Sequence, residues 1–131
     1  MPGHQDANIK LLYPTDQGTL FTADTVRNGT AFDVVANVEI GKTLMNVVRH
    51  EELFVTVLNV SQATVLKRQS FRQDVAPQDD DTPRNALLRI TIDGWAASDG
   101  DVLEAVATYK VTAGAYTDYS VDRSIQFVVA D

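Results

Sequence analysis

The chain has no cysteine among its 131 residues. That absence excludes thiol catalysis, cysteine-based metal centres and disulfide bonds. No apolar run approaches the roughly 18 residues that a membrane-spanning helix needs, and the opening stretch MPGHQDANIK lacks the apolar core of a signal peptide. We therefore expect no membrane insertion. If the chain is a processed form or an assembly subunit, we expect it to be extracellular or virion-associated.

Basic residues are scarce. The chain has 11 Lys and Arg against 18 Asp and Glu, a formal charge of -7. Nucleic acids and anionic membranes are bound by clustered Lys and Arg, so this balance argues against both as partners. An acidic surface is compatible with a cation, a basic protein surface or simple solubility.

Residues that supply catalytic chemistry are also few. There are only two histidines, His4 and His50. His50 precedes Glu51 and Glu52, but neighbouring residues of a strand point to opposite faces, so the three do not form an acid–base group. The sequence has no nucleophile motif and no glycine-rich phosphate loop. We therefore expect a protein that is not an enzyme.

Hydrophobic and polar residues alternate in most of the chain, which predicts strands with one buried face. ELFVTVL and TVLKRQSF, joined by NVSQA, predict a hairpin whose second strand is an edge protected by Lys67, Arg68 and Arg72. Only residues 42–52, KTLMNVVRHEE, have helix-like spacing. The predicted inward-facing sets are Phe32, Val34, Ala36, Val38 and Ile40; Leu88, Ile90 and Ile92; Leu103, Ala105, Ala107, Tyr109 and Val111; and Ile125, Phe127 and Val129.

Seven or eight short strands separated by turn signals predict an all-β sandwich or barrel. VRNGTAFDVVANVEIG and WAASDGDVLEAVATYKV resemble, respectively, the A–B turn with strand B and the E–F corner of an immunoglobulin-like domain. The cysteines, the corner tyrosine and the strand C tryptophan of antibody domains are missing, so the resemblance is one of architecture. It implies an immunoglobulin-like antiparallel β-sandwich of seven or eight strands over residues 18–131, with residues 1–17 as an N-terminal extension or first strand.

The stretch VAPQDDDTPRN contains three adjacent aspartates between two prolines. Asp79 and Asp81 would lie on one side of an extended loop and could supply two of the six to eight oxygens that calcium needs. The spacing matches no calcium loop, however, and adjacent like charges are typical of a solvated loop tip. We favour the loop tip and keep a calcium site as the alternative.

Immunoglobulin strand order would bring further residues to the same end of the sandwich. The resemblance implies that Glu51, Tyr116, Asp118 and Tyr119 lie there and could bind a ligand. The alternative function is therefore a calcium-dependent carbohydrate- or ligand-binding module.

Trp95 is the chain's only tryptophan. It could form a stacking platform for a sugar, but we favour a plug at the end of the sandwich. Asn28 in NGT and Asn59 in NVS match the short glycosylation pattern.

The strand ELFVTVL does not alternate strictly. If Leu53, Val55 and Val57 face the core, Phe54 and Leu58 face solvent. Strands C, F and G are neighbours in the immunoglobulin arrangement, so an outward apolar patch is expected. We therefore predict a non-catalytic interaction or assembly module, either a surface, filament or virion subunit or an accessory domain of a larger complex. Its partner would be another protein chain or a second copy, bound through Phe54, Leu58, Val102, Val106 and Val128.

Overall fold

The structure, a computed structural model, describes residues 7–77 and 84–131. These residues form nine strands and one helical turn, α1 (Lys42–Met45). The strands are β1 (Ala7–Asp16), β2 (Thr25–Arg27), β3 (Phe32–Ile40), β4 (His50–Asn59), β5 (Thr64–Asp74), β6 (Arg84–Ile92), β7 (Val102–Ala113), β8 (Tyr116–Arg123) and β9 (Phe127–Ala130).

Two sheets pack against each other to form a β-sandwich. The smaller sheet has the order β1-β3-β6, and the six-stranded sheet has the order β2-β9-β7-β4-β5, with β8 also paired to β7. The strand pairs are antiparallel except for β2 and β9, which run parallel. The all-β prediction is confirmed, and β5 lies at an edge of its sheet as expected.

One hydrophobic core fills the space between the sheets, and strand alternation builds it. Leu53, Val55 and Val57 of β4 are buried, and so are the predicted inward residues of β3, β6 and β7. Burying each Leu or Val side chain stabilises the fold by about 1.5–3 kcal/mol. The predicted register of β4 is therefore confirmed, which places Phe54 outward.

The sandwich includes residues before 18, because β1 pairs with β3 along its whole length. Strict alternation does not reveal this strand, since a register shift between Ile9 and Leu11 turns both Ile9 and Leu12 inward.

The helical turn ends at Met45, and β4 begins at His50. The observed turn therefore lies within residues 42–52, the only stretch in which the spacing allowed one.

The last predicted strand is two strands, β8 and β9, separated by residues 124–126. At this break Ser124 is buried and Ile125 is exposed, so the prediction that Ile125 faces the core is wrong. The Ser124 hydroxyl accepts a hydrogen bond from the Ala105 N–H (2.9 Å) and donates one to the Ile125 carbonyl (2.8 Å). These bonds hold the break in place, and Phe127 beyond it faces inward as predicted.

Trp95 closes one end of the sandwich as a buried plug, as expected. Its ring packs edge-on against Phe32 at 5.6 Å, and its Nε1 donates to the Thr30 carbonyl at 3.0 Å. The asparagines of the two glycosylation patterns, Asn28 and Asn59, make hydrogen bonds within the fold. The Asn28 amide bonds the Ala97 backbone, and Asn59 is buried with its Nδ2 2.9 Å from Oδ2 of Asp101.

Candidate functional site

The five residues predicted to form an interface all face outward on the six-stranded sheet, which we call the outer face. Phe54 is 37% exposed and Val128 is also exposed, whereas the others are half-buried. The remaining three are Leu58, Val102 and Val106.

The register divides these residues into separate groups. Leu58 lies opposite Glu104, whose Oε1 is 3.0 Å from Nη1 of Arg123, so charge separates it from the centre of the face. Val102 pairs with Val128 at the far corner of the sheet. The apolar patch is therefore interrupted, contrary to the single patch that the sequence predicted.

A tighter apolar group surrounds Thr108 on the outer face. Phe54 lies opposite Thr108 on one side, and Val121 of β8 lies opposite it on the other. Val106 is the next outward residue along β7. Val121 is 65% exposed and was missed because the polar sequence YTDYSVDR gives a weak strand signal. Phe54, Val106 and Val121 form what we call the apolar centre of the outer face.

Charged side chains surround this centre, and they are more basic than the chain as a whole. The outward positions of β4, β5, β7 and β8 hold four of the chain's 11 basic residues and three of its 18 acidic ones. The charged residues are Arg68, Arg72, Lys110 and Arg123, with Glu52, Asp74 and Glu104.

Two shallow depressions lie on the same face. One of about 250 Å³ lies beside Phe54 and Arg68, and one of about 400 Å³ lies beside Leu58 and Val65.

Glu51 lies inside the sandwich and not at a ligand-binding loop end, which corrects the sequence-based expectation. β4 begins at His50, so Glu51 takes an inward position in the series that continues with Leu53. Its carboxylate is 0% exposed. It accepts hydrogen bonds from the Tyr109 hydroxyl (2.5 Å), Arg84 Nη2 (2.7 Å) and Gln73 Nε2. These donors satisfy the buried charge, so Glu51 acts as a structural residue.

Asp118 also makes a hydrogen bond within the fold. Its Oδ2 accepts a hydrogen bond from the Ala7 N–H at 2.7 Å, and the Ser120 hydroxyl accepts one from the Ile9 N–H at 3.1 Å. These bonds join the edge of β1 to β8, and we call this contact the β1–β8 seam. It explains why the β8 positions that face the small sheet are polar.

Tyr116 and Tyr119 are exposed, but the predicted loop-end set is not brought together. Tyr119 belongs to the outer face, where Nζ of Lys110 lies 5.9 Å from the centre of its ring. That distance suits a cation–π contact. Because Glu51 and Asp118 are used within the fold, the two tyrosines remain as surface residues without the expected acidic neighbours.

The proposed calcium ligands Asp79 and Asp81 lie outside the described residues. Within residues 7–77 and 84–131, no group of three or more His, Asp or Glu side chains could hold a metal ion.

His50 is half-buried, and its Nε2 lies 3.4 Å from Nη2 of Arg72. It borders an open depression of about 900 Å³ between the start of β4 and the ends of β5 and β7, which Val47 and Val75 also line.

A second exposed feature, which the sequence analysis missed, is the connection between β1 and β2. It carries Leu20 and Phe21, both exposed, in the segment GTLFTAD. Two adjacent large apolar residues among Gly, Thr and Asp are the signal that could have identified it. Asp33 of β3 supports this loop, because its Oδ2 accepts a hydrogen bond from the Gly18 N–H at 2.9 Å.

Among the described residues, no helix is long and apolar enough to cross a membrane. The chain matches no protein-family model, and the curated proteins include no significant relative.

Proposed function

We propose that this chain is a non-catalytic immunoglobulin-like module that assembles with another protein chain or with further copies of itself. The strand order supports the immunoglobulin-like assignment. In this assignment β1, β3 and β6 correspond to strands A, B and E, and β4, β7 and β8–β9 correspond to C, F and G. The parallel β2–β9 pair joins residues 25–27 to the last strand at one edge of the six-stranded sheet.

The apolar centre of the outer face carries the functional proposal. Phe54, Val106 and Val121 lie around Thr108, and their side chains contribute nothing to the core between the sheets. Burying an apolar side chain of this size is worth about 1.5–3 kcal/mol. A surrounding rim of charged side chains is typical of a protein interface. Docking a partner here would bury this apolar surface and leave the rim at the solvent boundary.

The experiment is size-exclusion chromatography with light scattering on the parent and on Phe54→Glu. We expect the parent to assemble and the variant to be a folded monomer, because Phe54 points away from the core. Leu87→Glu is the matched control, since Leu87 is an exposed apolar residue of the small sheet. It should assemble like the parent.

Val121→Glu tests the same face from another strand and keeps the test valid if Phe54→Glu fails to fold. A parent that stays monomeric at high concentration and binds no partner through this face would refute the proposal. Assembly that survives both Phe54→Glu and Val121→Glu would refute it equally.

A further inference from the structure

Phe21 has the largest exposed fraction, 81%, of any large hydrophobic side chain in the described part of the chain. It lies with Leu20, also exposed, in the segment between Asp16 and Asp24, which we call the 16–24 loop. Isolated surface hydrophobes are common, but two adjacent ones at the tip of a loop form a local apolar projection.

The 16–24 loop is tied to the sandwich at both ends. The Thr19 N–H bonds the Asp16 carbonyl (3.0 Å), and the Ala23 N–H bonds the Pro14 carbonyl (2.9 Å). Gly18 has a φ of 78°, a conformation that suits glycine, and this conformation accompanies the N–H bond to Asp33.

Asp33 is itself fixed, so it provides a firm anchor for the loop. Its carboxylate accepts hydrogen bonds from Arg89 Nη1 at 2.6 Å and from the Thr91 hydroxyl at 2.7 Å. An ordered loop loses little conformational entropy when it docks, which favours binding. The sandwich therefore presents Phe21 on a preorganised support.

Charge indicates what the loop can dock against. Asp16 and Asp24, on either side of the apolar tip, are exposed, and Asp93, Asp99 and Asp131 are exposed at the same end of the sandwich. The outer face holds four basic and three acidic side chains around the apolar centre, so it is much less acidic than this end of the sandwich and offers both an apolar surface and basic side chains to the loop.

We propose that the 16–24 loop of one copy docks on the outer face of a second copy, with Phe21 against the apolar centre and Asp16 and Asp24 near Arg68 and Arg123. This inference rests on the proposed function and specifies its partner. Within one chain the loop leads into β2, which lies at the edge of the six-stranded sheet and is separated from β4 by β9 and β7. A contact between two different surfaces is heterologous, so repeating it gives an open chain of copies or a ring.

The test mixes two variants that each lose one half of the contact. Phe21→Glu keeps the outer face, and Phe54→Glu keeps the loop. We expect each variant alone to be monomeric and the equimolar mixture to give a species of twice the monomer mass and nothing larger. Salt should weaken this heterodimer at least tenfold, because exposed charges are screened. Leu11→Glu is the control, because Leu11 is exposed on β1 and belongs to neither surface.

The outcomes separate the two proposals. If Phe21→Glu assembles like the parent while Phe54→Glu is monomeric, the head-to-tail contact is wrong and the interface on the outer face stands. If both variants are monomeric and their mixture is too, the contact is also wrong, because a heterologous interface must be restored by mixing. A monomeric parent overturns this inference and self-assembly together. Circular dichroism checks each fold, and Phe21→Ser replaces Phe21→Glu if the latter fails to fold.

Discussion

The hydroxyl of Tyr109 lies 2.5 Å from Oε1 of Glu51, and both side chains are 0% exposed. They project from neighbouring strands, β7 and β4, into the same side of the core. Burial, together with the hydrogen bond to Glu51 and its negative charge, raises the pKa of Tyr109 far above its ordinary value. The phenol therefore remains protonated and continues to donate its hydrogen bond to the carboxylate.

Replacing Glu51 by Gln should lower the free energy of unfolding by about 3 kcal/mol, because it leaves the Arg84 charge without its buried partner. The Arg84 side chain keeps 26% exposure, which limits the loss. Urea denaturation near neutral pH measures it. Glu52→Gln, one residue on and facing outward, should change the value by less than about 0.5 kcal/mol. Equal effects of the two substitutions would show that the network contributes no stability.

Asp33→Asn should destabilise the protein near neutral pH by about 1–3 kcal/mol. Burial alone raises the pKa of Asp33, but hydrogen bonds from Gly18, Arg89 and Thr91 and the Arg89 charge outweigh it and lower the pKa. The folded state therefore binds the proton less tightly than the unfolded chain. The carboxylate stabilises the fold above its unfolded-state pKa of 3.8, and this contribution is lost as the pH falls through the lower folded-state pKa.

The measurement for Asp33 is a series of urea titrations of the parent and Asp33→Asn from neutral to strongly acidic pH. The difference between the two proteins should shrink as the solution becomes acidic. Asp93→Asn removes only an exposed carboxylate 3.9 Å from Lys67 and serves as the control. A difference that stays constant with pH would contradict the role given to the Asp33 charge.

Lys67→Val should increase aggregation without changing the circular dichroism spectrum of the monomer. Lys67 pairs with the inward residue Val57 on β4, so a charged side chain occupies an inward position of an edge strand, which protects the edge against unwanted pairing. Turbidity during mild heating is the measurement. Lys10→Val is the matched control, because the edge of β1 is covered by the seam with β8. The two variants should aggregate equally if β5 needs no such protection.

The double substitution Asp79→Asn and Asp81→Asn should leave the melting temperature unchanged, both in calcium and in chelator. Three adjacent aspartates between prolines are typical of a solvated loop, and a bound ion would stabilise the native state by mass action. Thermal scans of the parent under both conditions give the comparison. If calcium raises the parent's melting temperature and the variant loses that rise, the alternative of a calcium module gains direct support.

The fold was readable from sequence wherever one face of a strand is uniformly apolar. Leu103 to Val111 alternate without interruption, and their burial follows the same alternation. In Phe32 to Ile40 the predicted inward residues are buried, although Asp33 and Val35 between them are buried as well. β1 was left uncertain because a bulge breaks its period. β8 was not separated from β9 because polar residues occupy its inward positions, where they bond to the β1 backbone.

The candidate site was only partly readable. The outward direction of Phe54 follows from local alternation alone. Its neighbours do not, because whether Leu58 meets a valine or Glu104 depends on the register between strands distant in sequence. The sequence analysis expected Glu51 at a ligand-binding loop end, because carboxylates normally lie at solvated positions, whereas Glu51 is buried. Its three partners, Gln73, Arg84 and Tyr109, come from three different strands, and only their convergence makes its burial tolerable.

The β1–β8 seam also has a consequence for the time the chain spends on the ribosome. Two of its hydrogen bonds, Ala7 to Asp118 and Ile9 to Ser120, each join residues 111 positions apart. At a synthesis rate of about 5–20 residues per second, β1 waits on the order of 6–20 seconds after its own synthesis for β8 to be made. During that interval its edge amides have no partner from β8 and can pair with other strands. The edge of β1 is therefore more open to unwanted pairing in the growing chain than in the finished protein, where the seam covers it.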